Sequence, residues 1–389
     1  MATASSPSQI RQSPALPRGF CHAGDAPLEG RLYVVPVGVV GGGAAAAAIA
    51  GGGAWPLAGG ELAFTGCAVL LRDGDSVIEA YGSLPEIVDW SAAEGAAVAE
   101  YVSRALHRIG MRRRPFAGLD LGRPLVMGIV NVTPDSFSDG GRYLASEAAV
   151  VHGAALLEAG ADILDVGGES TRPGARPVSP DDEVRRVTPV IRALAQKGAR
   201  ISVDTRHARV MAAALDAGAT IINDITALEG DAESLSLAAR RGAPVILMHM
   251  QGDPRTMQQA PSYDCAPLDV FDHMRRRIEA CQGAGIDLAN LCLDPGIGFG
   301  KDLGHNLAIL ARLGMYHAFG CALLLGASRK SFIARIDDGV PADRRLPGSL
   351  AVALAGVEQG THILRVHDVA ETVQAVKVWR AVRTAAAAN

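Results

Sequence analysis

No two cysteines in this 389-residue chain are spaced as CxxC. The six that occur, at 21, 67, 265, 281, 292 and 321, suggest neither a zinc cluster nor a disulfide framework, so a reducing cytoplasm is the simplest setting. Excess charge is scarce too. A net charge of −4 argues against a nucleic-acid-binding surface. The short basic runs "MRRRP" (111–115) and "HMRRR" (273–277) read as a linker and a solvated helix face. Charge is missing altogether from residues 32–60, "LYVVPVGVVGGGAAAAAIAGGGAWPLAGG". That run is long enough to span a bilayer. It is nevertheless mostly Ala and Gly, with nine glycines and Pro36 and Pro56 inside, which weakens any helix. It starts too late for a signal peptide and lacks the compact apolar core of one. Residues 1–60 are therefore expected to be a loosely ordered, low-complexity segment with no membrane role.

What is present is globular: 49% hydrophobic and 20% charged residues, over a length that suits one large domain plus a smaller one. Residues 61–84, "ELAFTGCAVLLRDGDSVIEAYGSL", read as a hairpin turning at Asp-Gly. A helix is expected after it, with Ser91 and Glu94 as a capping box and Gly110 as the stop. Residues 61–115 thus form a small α+β appendage.

From about residue 120 one pattern repeats. A helix-like stretch ends in Gly, and a short apolar run follows that ends in a polar residue. The instances are "AGADILDVGG" (159–168), "KGARISVD" (197–204), "AGATIIND" (217–224), "RGAPVILMH" (241–249), "AGIDLANLCLDPG" (284–296), "FGCALLLGAS" (319–328) and "QGTHILRVHD" (359–368), and with the apolar run "RPLVMGIVN" (123–131) they make eight. Each Gly suits a helix C′ position and each apolar run a strand buried on both faces. Eight such units predict an α/β fold, a TIM (β/α)8 barrel over 120–385. A doubly wound open sheet is the alternative, and it leaves the eighth strand without a place.

A barrel carries its active site at the C-terminal ends of its strands. Here those ends are Asn131, Asp165, Asp204, Asn223 with Asp224, His249, Asp294, Ser328 followed by Arg329 and Lys330, and Arg365 with His367. Singly, Asp165 or Asp224 could be helix caps, and His249 a satisfied core histidine. As a set they gather at one mouth. Asp204, Asn223 and Asp294 suit a flat heterocycle with an amino-amide edge, and Lys330 adds a donor for a ring carbonyl or nitrogen. Asn131, Arg365 and His367 lie on strands that adjoin once the barrel closes, and suit phosphate, with a divalent ion. "SRKS" opens a helix whose N–H groups favour an anion. The loops 132–141 and 167–175 are glycine-rich and polar.

At these residues the chain resembles dihydropteroate synthase. The matching stretches are "GIVNVTPDSFSDGG", "DVGGESTRPGA", "SVDT", "IIND", "LMHMQGDPRTMQ", "DPGIGFGK", "SRKSFI", "RLPGSLA" and "RVHDV", in that order over 120–385. The N-terminal 115 residues fall outside the resemblance. The family condenses 6-hydroxymethyl-7,8-dihydropterin pyrophosphate with p-aminobenzoate to give dihydropteroate, in folate synthesis. The resemblance implies that Asp204, Asn223, Asp294 and Lys330 hold the pterin. Asn131, Thr171, Arg172, Arg365 and His367 would meet the pyrophosphate, with Mg2+ on Asn131. Phe137, Pro173, Phe299, Lys330 and Ser331 would line the p-aminobenzoate pocket, and Asp139 would close over the reacting carbon. The catalytic group would be Asp139, Lys330, Arg365 and His367. An aromatic amine is a weak nucleophile, so departure of pyrophosphate before attack is expected. The resemblance also implies a homodimer. Pterin barrels that pass a methyl group from methyltetrahydrofolate to a corrinoid protein share the carboxylate and Asn floor. Arg365 with His367, Lys330 with Ser331 and the "NVTPDSFSDGG" loop separate the two readings in favour of the synthase. A non-catalytic pterin-binding paralogue would lack one of these groups, and none is missing.

Overall fold

A computed structural model describes residues 9–20, 27–74, 76–132, 139–169, 177–253 and 256–385. Eight parallel strands close into a barrel in chain order. The five strands that precede them form a separate sheet: β1 (Gln9–Gln12), β2 (Leu32–Gly41), β3 (Trp55–Pro56), β4 (Leu62–Asp73) and β5 (Ser76–Ser83). The barrel is β6 (Leu125–Asn131), β7 (Ile163–Gly167), β8 (Ile201–Asp204), β9 (Ile221–Asp224), β10 (Val245–Met248), β11 (Leu291–Asp294), β12 (Ala322–Leu325) and β13 (Ile363–Val366). All eight fall inside the eight repeats read from the sequence. The repeat glycines 160, 198, 218, 242, 285, 320 and 360 all take positive φ, between 58° and 114°, a region open to Gly at little cost.

The sheet departs from expectation at residues 32–60. Leu32–Gly41 is not loose: it pairs antiparallel with β4 from Leu32↔Leu71 to Gly41↔Leu62. Helix α1 (Gly42–Ala50) follows directly. Its small side chains are the reason this composition can pack. Ala45 lies in a buried cluster with Ala54 and Ala63, and a Cβ on Gly42 would sit 2.1 Å from the carbonyl oxygen of Arg383. Among the described residues no helix is long and apolar enough to cross a membrane. The hairpin β4–β5 is as expected, with Gly74 at φ 56°. The capping box lies earlier than expected, with Ser83 and Glu86 opening α2 (Leu84–Ala93). A second helix, α3 (Ala96–Gly110), ends at the anticipated glycine.

Strand alternation gives this sheet two apolar faces. Leu32, Val34, Phe64, Cys67 and Val69 pack beneath α2 and α3. Tyr33, Val35, Ala68, Leu70 and Val77 belong to the same continuous core as the barrel's outer layer. Polar contacts cross the same boundary. Tyr33 donates to Asp272 at 2.7 Å, and Arg72 to Asp269 at 2.5 Å. Arg312 makes a two-pronged bond to Glu79 at 3.0 and 3.1 Å, with Glu79 only 2% exposed.

The run 111–115 is the expected linker and Arg276 is exposed on its helix, but each basic run also has one buried arginine. Arg113 is buried and donates to the carbonyls of Arg108, Met111, His317 and Cys321. Arg277 is buried as well and donates to the carbonyl of Ala227. Past Arg113 the chain plugs the barrel floor: Phe116 and Leu121 join Met127, Ile163, Ile221, Ile246 and Ile363 in the interior cluster. Seven further helices follow barrel strands, namely α4 (Asp139–Glu158), α5 (Pro180–Ala195), α6 (Ala208–Ala217), α7 (Ser234–Arg241), α8 (Ala266–Gly283), α9 (Leu303–Leu310) and α10 (Ser331–Ile336). Two more, α11 (Leu346–Glu358) and α12 (Val369–Ala385), flank the last strand.

Candidate active site

Strand register sets the height of each polar group. Asn131 pairs with Gly167, Gly167 with Asp204, and Asp204 with Asn223, so four adjacent strands end at one level. Asp165 lies one layer deeper, level with Ile129 and Ser202. That depth decides its role. Asp165 does not cap a helix: its carboxylate accepts from Nε of Arg365 at 2.6 Å and from Nδ2 of Asn223 at 3.1 and 3.3 Å. The other nitrogen arm of Arg365 reaches Asp204 at 2.6 Å. The sequence reading counted Asp165 among the strand ends at the mouth and gave it no ligand to hold. Its alternation with Gly167 along β7, the neighbour of Asp204, was the available signal.

Arg365, expected at the pyrophosphate with Asn131 and His367, also belongs to this carboxylate network. The guanidinium is held by two floor carboxylates. Asn223 is oriented by the same network: its amide nitrogen donates to the Asp165 carboxylate, and its carbonyl oxygen is the group that can accept from a ligand N–H. Burial pushes the Asp204 carboxyl above its ordinary range, opposed by Arg365 and reinforced by Asp165. Burial raises that of Asp294 too, opposed chiefly by Lys330.

Asp294 ends β11 and accepts from the Gly296 N–H at 2.8 Å, the start of the turn "DPGIGFGK". Gly296 has φ 68°, and a Cβ there would lie 1.9 Å from the carbonyl oxygen of His249. The turn wraps a buried lysine that the sequence reading missed. Nζ of Lys301, 1% exposed, donates to the carbonyls of Gly296 and Phe299 at 2.9 Å and of His249 at 3.2 Å, and meets Nδ1 of His249 at 2.9 Å. Burial and the adjacent Lys301 keep His249 neutral, so it is a satisfied structural histidine. Asp224 does not cap α7, which opens at Glu233; it ties down the turn after β9, accepting from the N–H groups of Thr226 and Leu228 at 2.7 and 3.1 Å.

Lys330 lies at the entrance to α10 and donates to the carbonyl of Ile297. Its Nζ is 4.4 Å from the centre of the half-buried Phe299 ring. Burial pushes the Lys330 ammonium down to about 8, against the pull of Asp294 and Asp204. Ser331 is exposed beside it at the start of α10. His367 meets Oγ of Ser328 at 3.1 Å through Nδ1, and Arg329 is paired with Asp368. Asn131 is exposed at the mouth. The structure thus brings Asp204, Asn223, Asp294, Lys330 and Arg365 to one pocket floor, with Phe299, Ser331 and His367 around it. Phe137, Thr171, Arg172 and Pro173 lie outside the described residues. Asp139 begins α4, and its side chain is likewise outside them.

The family model for pterin-binding enzymes matches residues 127–367. The dihydropteroate synthase of Escherichia coli K12 is 51% identical over 268 residues, covering 69% of this chain and 94% of that protein. The Bacillus subtilis enzyme is 42% identical over 260 residues, covering 67% of this chain and 88% of its own length. Two solved structures superpose on the barrel. One is the Yersinia pestis dihydropteroate synthase with a sulfonamide drug, at TM-score 0.64 and 49% identity, covering 68% of this chain and 96% of that one. The other is the Xanthomonas albilineans enzyme with 7,8-dihydropteroate, at TM-score 0.61 and 45% identity, covering 68% and 95%.

Proposed function

The chain belongs to the pterin-binding enzyme family and, within it, to the dihydropteroate synthases, and from that membership and the pocket floor we infer the reaction it performs. It condenses 6-hydroxymethyl-7,8-dihydropterin pyrophosphate with p-aminobenzoate, giving 7,8-dihydropteroate and pyrophosphate. The observation that supports this most strongly is the network of Asp165, Asp204, Asn223 and Arg365, facing Asp294 and Lys330 across the mouth.

In this reading the pterin lies flat in the pocket. Asp294 and Asp204 accept its amino and amide hydrogens, and the oriented Asn223 supplies an acceptor. Lys330 donates to the ring. Bonds in which one partner is charged are shorter and stronger than neutral ones, so these groups fix the heterocycle in one orientation. Pyrophosphate leaves at the mouth, where Asn131 and His367 lie on neighbouring strands. The carboxylates in a site shielded from water favour the positive charge that develops on the pterin methylene carbon. The amine of p-aminobenzoate then attacks that carbon and loses its proton, with the ring beside Phe299 and the carboxylate toward Ser331. Asp139, Phe137, Thr171, Arg172 and Pro173 complete this pocket in the proposed assignment.

Magnesium fits the donor set. An exposed amide oxygen at Asn131 is a hard ligand, and Mg2+ commonly binds through one or two protein oxygens, waters and substrate phosphates. When bound, it neutralises charge on the departing pyrophosphate. We place the enzyme in the cytoplasm, a setting in keeping with its free buried thiols at Cys67, Cys265, Cys281, Cys292 and Cys321. We propose a homodimer as its working form. Val378 and Val382, exposed four residues apart on α12, offer an apolar strip for a second copy, and mass in solution tests it.

Purified protein with both substrates and Mg2+ should form dihydropteroate. Chelation of Mg2+ should stop it, and a sulfonamide should compete with p-aminobenzoate. Pterin binding without product would overturn the reading and favour methyl transfer, testable by adding a corrinoid partner. A pH effect follows from Lys330. Its ammonium form prevails below about 8. The apparent KM for the pterin substrate should therefore climb as pH rises through that value. Lys330→Arg keeps its charge and should shift the limb to higher pH. Superimposable pH profiles for the two proteins would refute this assignment.

A further inference from the structure

The mouth carries a second group of side chains that the proposed reaction does not use. Glu169 lies two residues beyond β7, Glu183 sits in the first turn of α5, and His207 caps the start of α6. One ligand atom from each lies within 4.8 Å of the others. Glu183 is 0% exposed, and among the described residues neither of its carboxylate oxygens has a hydrogen-bond partner. The Thr205 hydroxyl faces it without meeting hydrogen-bond geometry. Nε2 of His207 is also buried without a partner among the described residues. Buried polar groups in folded proteins are satisfied with few exceptions, and a buried charge needs a counter-charge.

The surrounding charges leave room for a cation. Glu169 is paired with Arg206 at 3.2 and 3.3 Å and accepts from the Val178 N–H at 3.2 Å. Arg206 therefore offsets one carboxylate of the two. Asp204 and Asp231 add further negative potential on the barrel side and beside His207.

We propose that Glu169, Glu183 and His207 form a binding site for a divalent transition-metal ion of the zinc class, separate from the magnesium that accompanies pyrophosphate. Zinc takes both imidazole and carboxylate ligands, and a site with three protein ligands keeps a further position for water. The imidazole argues against magnesium or calcium, which prefer oxygen ligands alone. A tetrahedral ion with bonds of about 2.0–2.2 Å needs ligand atoms roughly 3.3–3.6 Å apart. Small side-chain rotations close the remaining gap, with Glu169 exchanging one Arg206 contact for the ion. Such an ion would tie β7, α5 and α6 together.

The test is equilibrium dialysis of the full chain against Zn2+, without substrates or Mg2+, followed by metal analysis. One zinc per chain is expected. Affinity should fall on the order of 100-fold or more in His207→Ala and in Glu183→Gln, beyond the roughly 10–100-fold that loss of an outer-shell partner costs. His207→Ala should keep its Mg2+-dependent synthesis. Because thiols also take zinc, a Co2+-loaded sample is read by absorption, and the site predicts nitrogen and oxygen ligation without thiolate bands. If Glu183→Gln does not fold, His207→Ala and the cobalt spectrum still decide. The competing state is a neutral Glu183, since burial pushes its carboxyl up to about 8. Absence of bound zinc, equal retention in the variants, or thiolate bands would each favour that state and overturn the proposal.

Discussion

Arg365→Met should destabilise the protein by about 3–5 kcal/mol, the usual result of removing one partner from a buried ion pair. The side chain of Arg365 is 20% exposed and lies between Asp165 and Asp204, at 0% and 14%. Without the guanidinium two buried carboxylates face each other uncompensated. The sign of the pH effect follows. In the variant at least one of these acids has its folded pKa raised further above its unfolded value. Its contribution is complete below the unfolded value and is lost as pH rises through the folded one. The gap from wild type should thus be smaller at pH 5 than at pH 8. Urea midpoints at the two pH values, with slopes unchanged, measure it. The same variant should lose most of its kcat, because Asn223 is aligned by the carboxylate that Arg365 holds. A destabilisation independent of pH would mean that Arg365 acts by packing alone.

Removing residues 1–115 should cost the barrel its solubility. The sheet gives Val35, Leu70 and Val77 to the core that the barrel's outer layer shares. Burying three such side chains contributes roughly 5–9 kcal/mol, against roughly 5–15 kcal/mol for a whole domain. The cut also strands Arg312 without Glu79, and Asp269 and Asp272 without Arg72 and Tyr33. Expression of residues 116–389 should give aggregated protein. A soluble fragment with the full-length melting point and activity would show that the barrel needs nothing from the sheet.

The barrel was legible because its signal is local. Seven of the eight strands are short apolar runs after a glycine of positive φ, and each of the eight runs ends in a polar group at the mouth. The floor residues Asp204, Asn223 and Asp294 could be read from type and place alone. The partners of Arg365 could not. Which carboxylates it meets depends on register across the closed barrel, where Asp165 lies a layer below Asp204. Lys301 was illegible for a similar reason: its acceptors are backbone carbonyls, which carry no side-chain signature. The segment 32–60 misled because Ala and Gly are weak predictors of any element. Only the pairing of β2 with β4 and the tight fit of α1 against Arg383 show why such small residues stand there.

The joined core has a consequence for synthesis on the ribosome. The sheet is complete by residue 83, yet Tyr33 must wait for Asp272, 239 residues further along the chain. At about 5–20 residues per second that is a delay of roughly 12–48 s, during which an apolar face awaits the helices that cover it. The nascent chain is therefore a natural client for a chaperone that shields exposed strands. Slowing translation between residues 83 and 266 should lower the yield of soluble enzyme more than slowing it after 283.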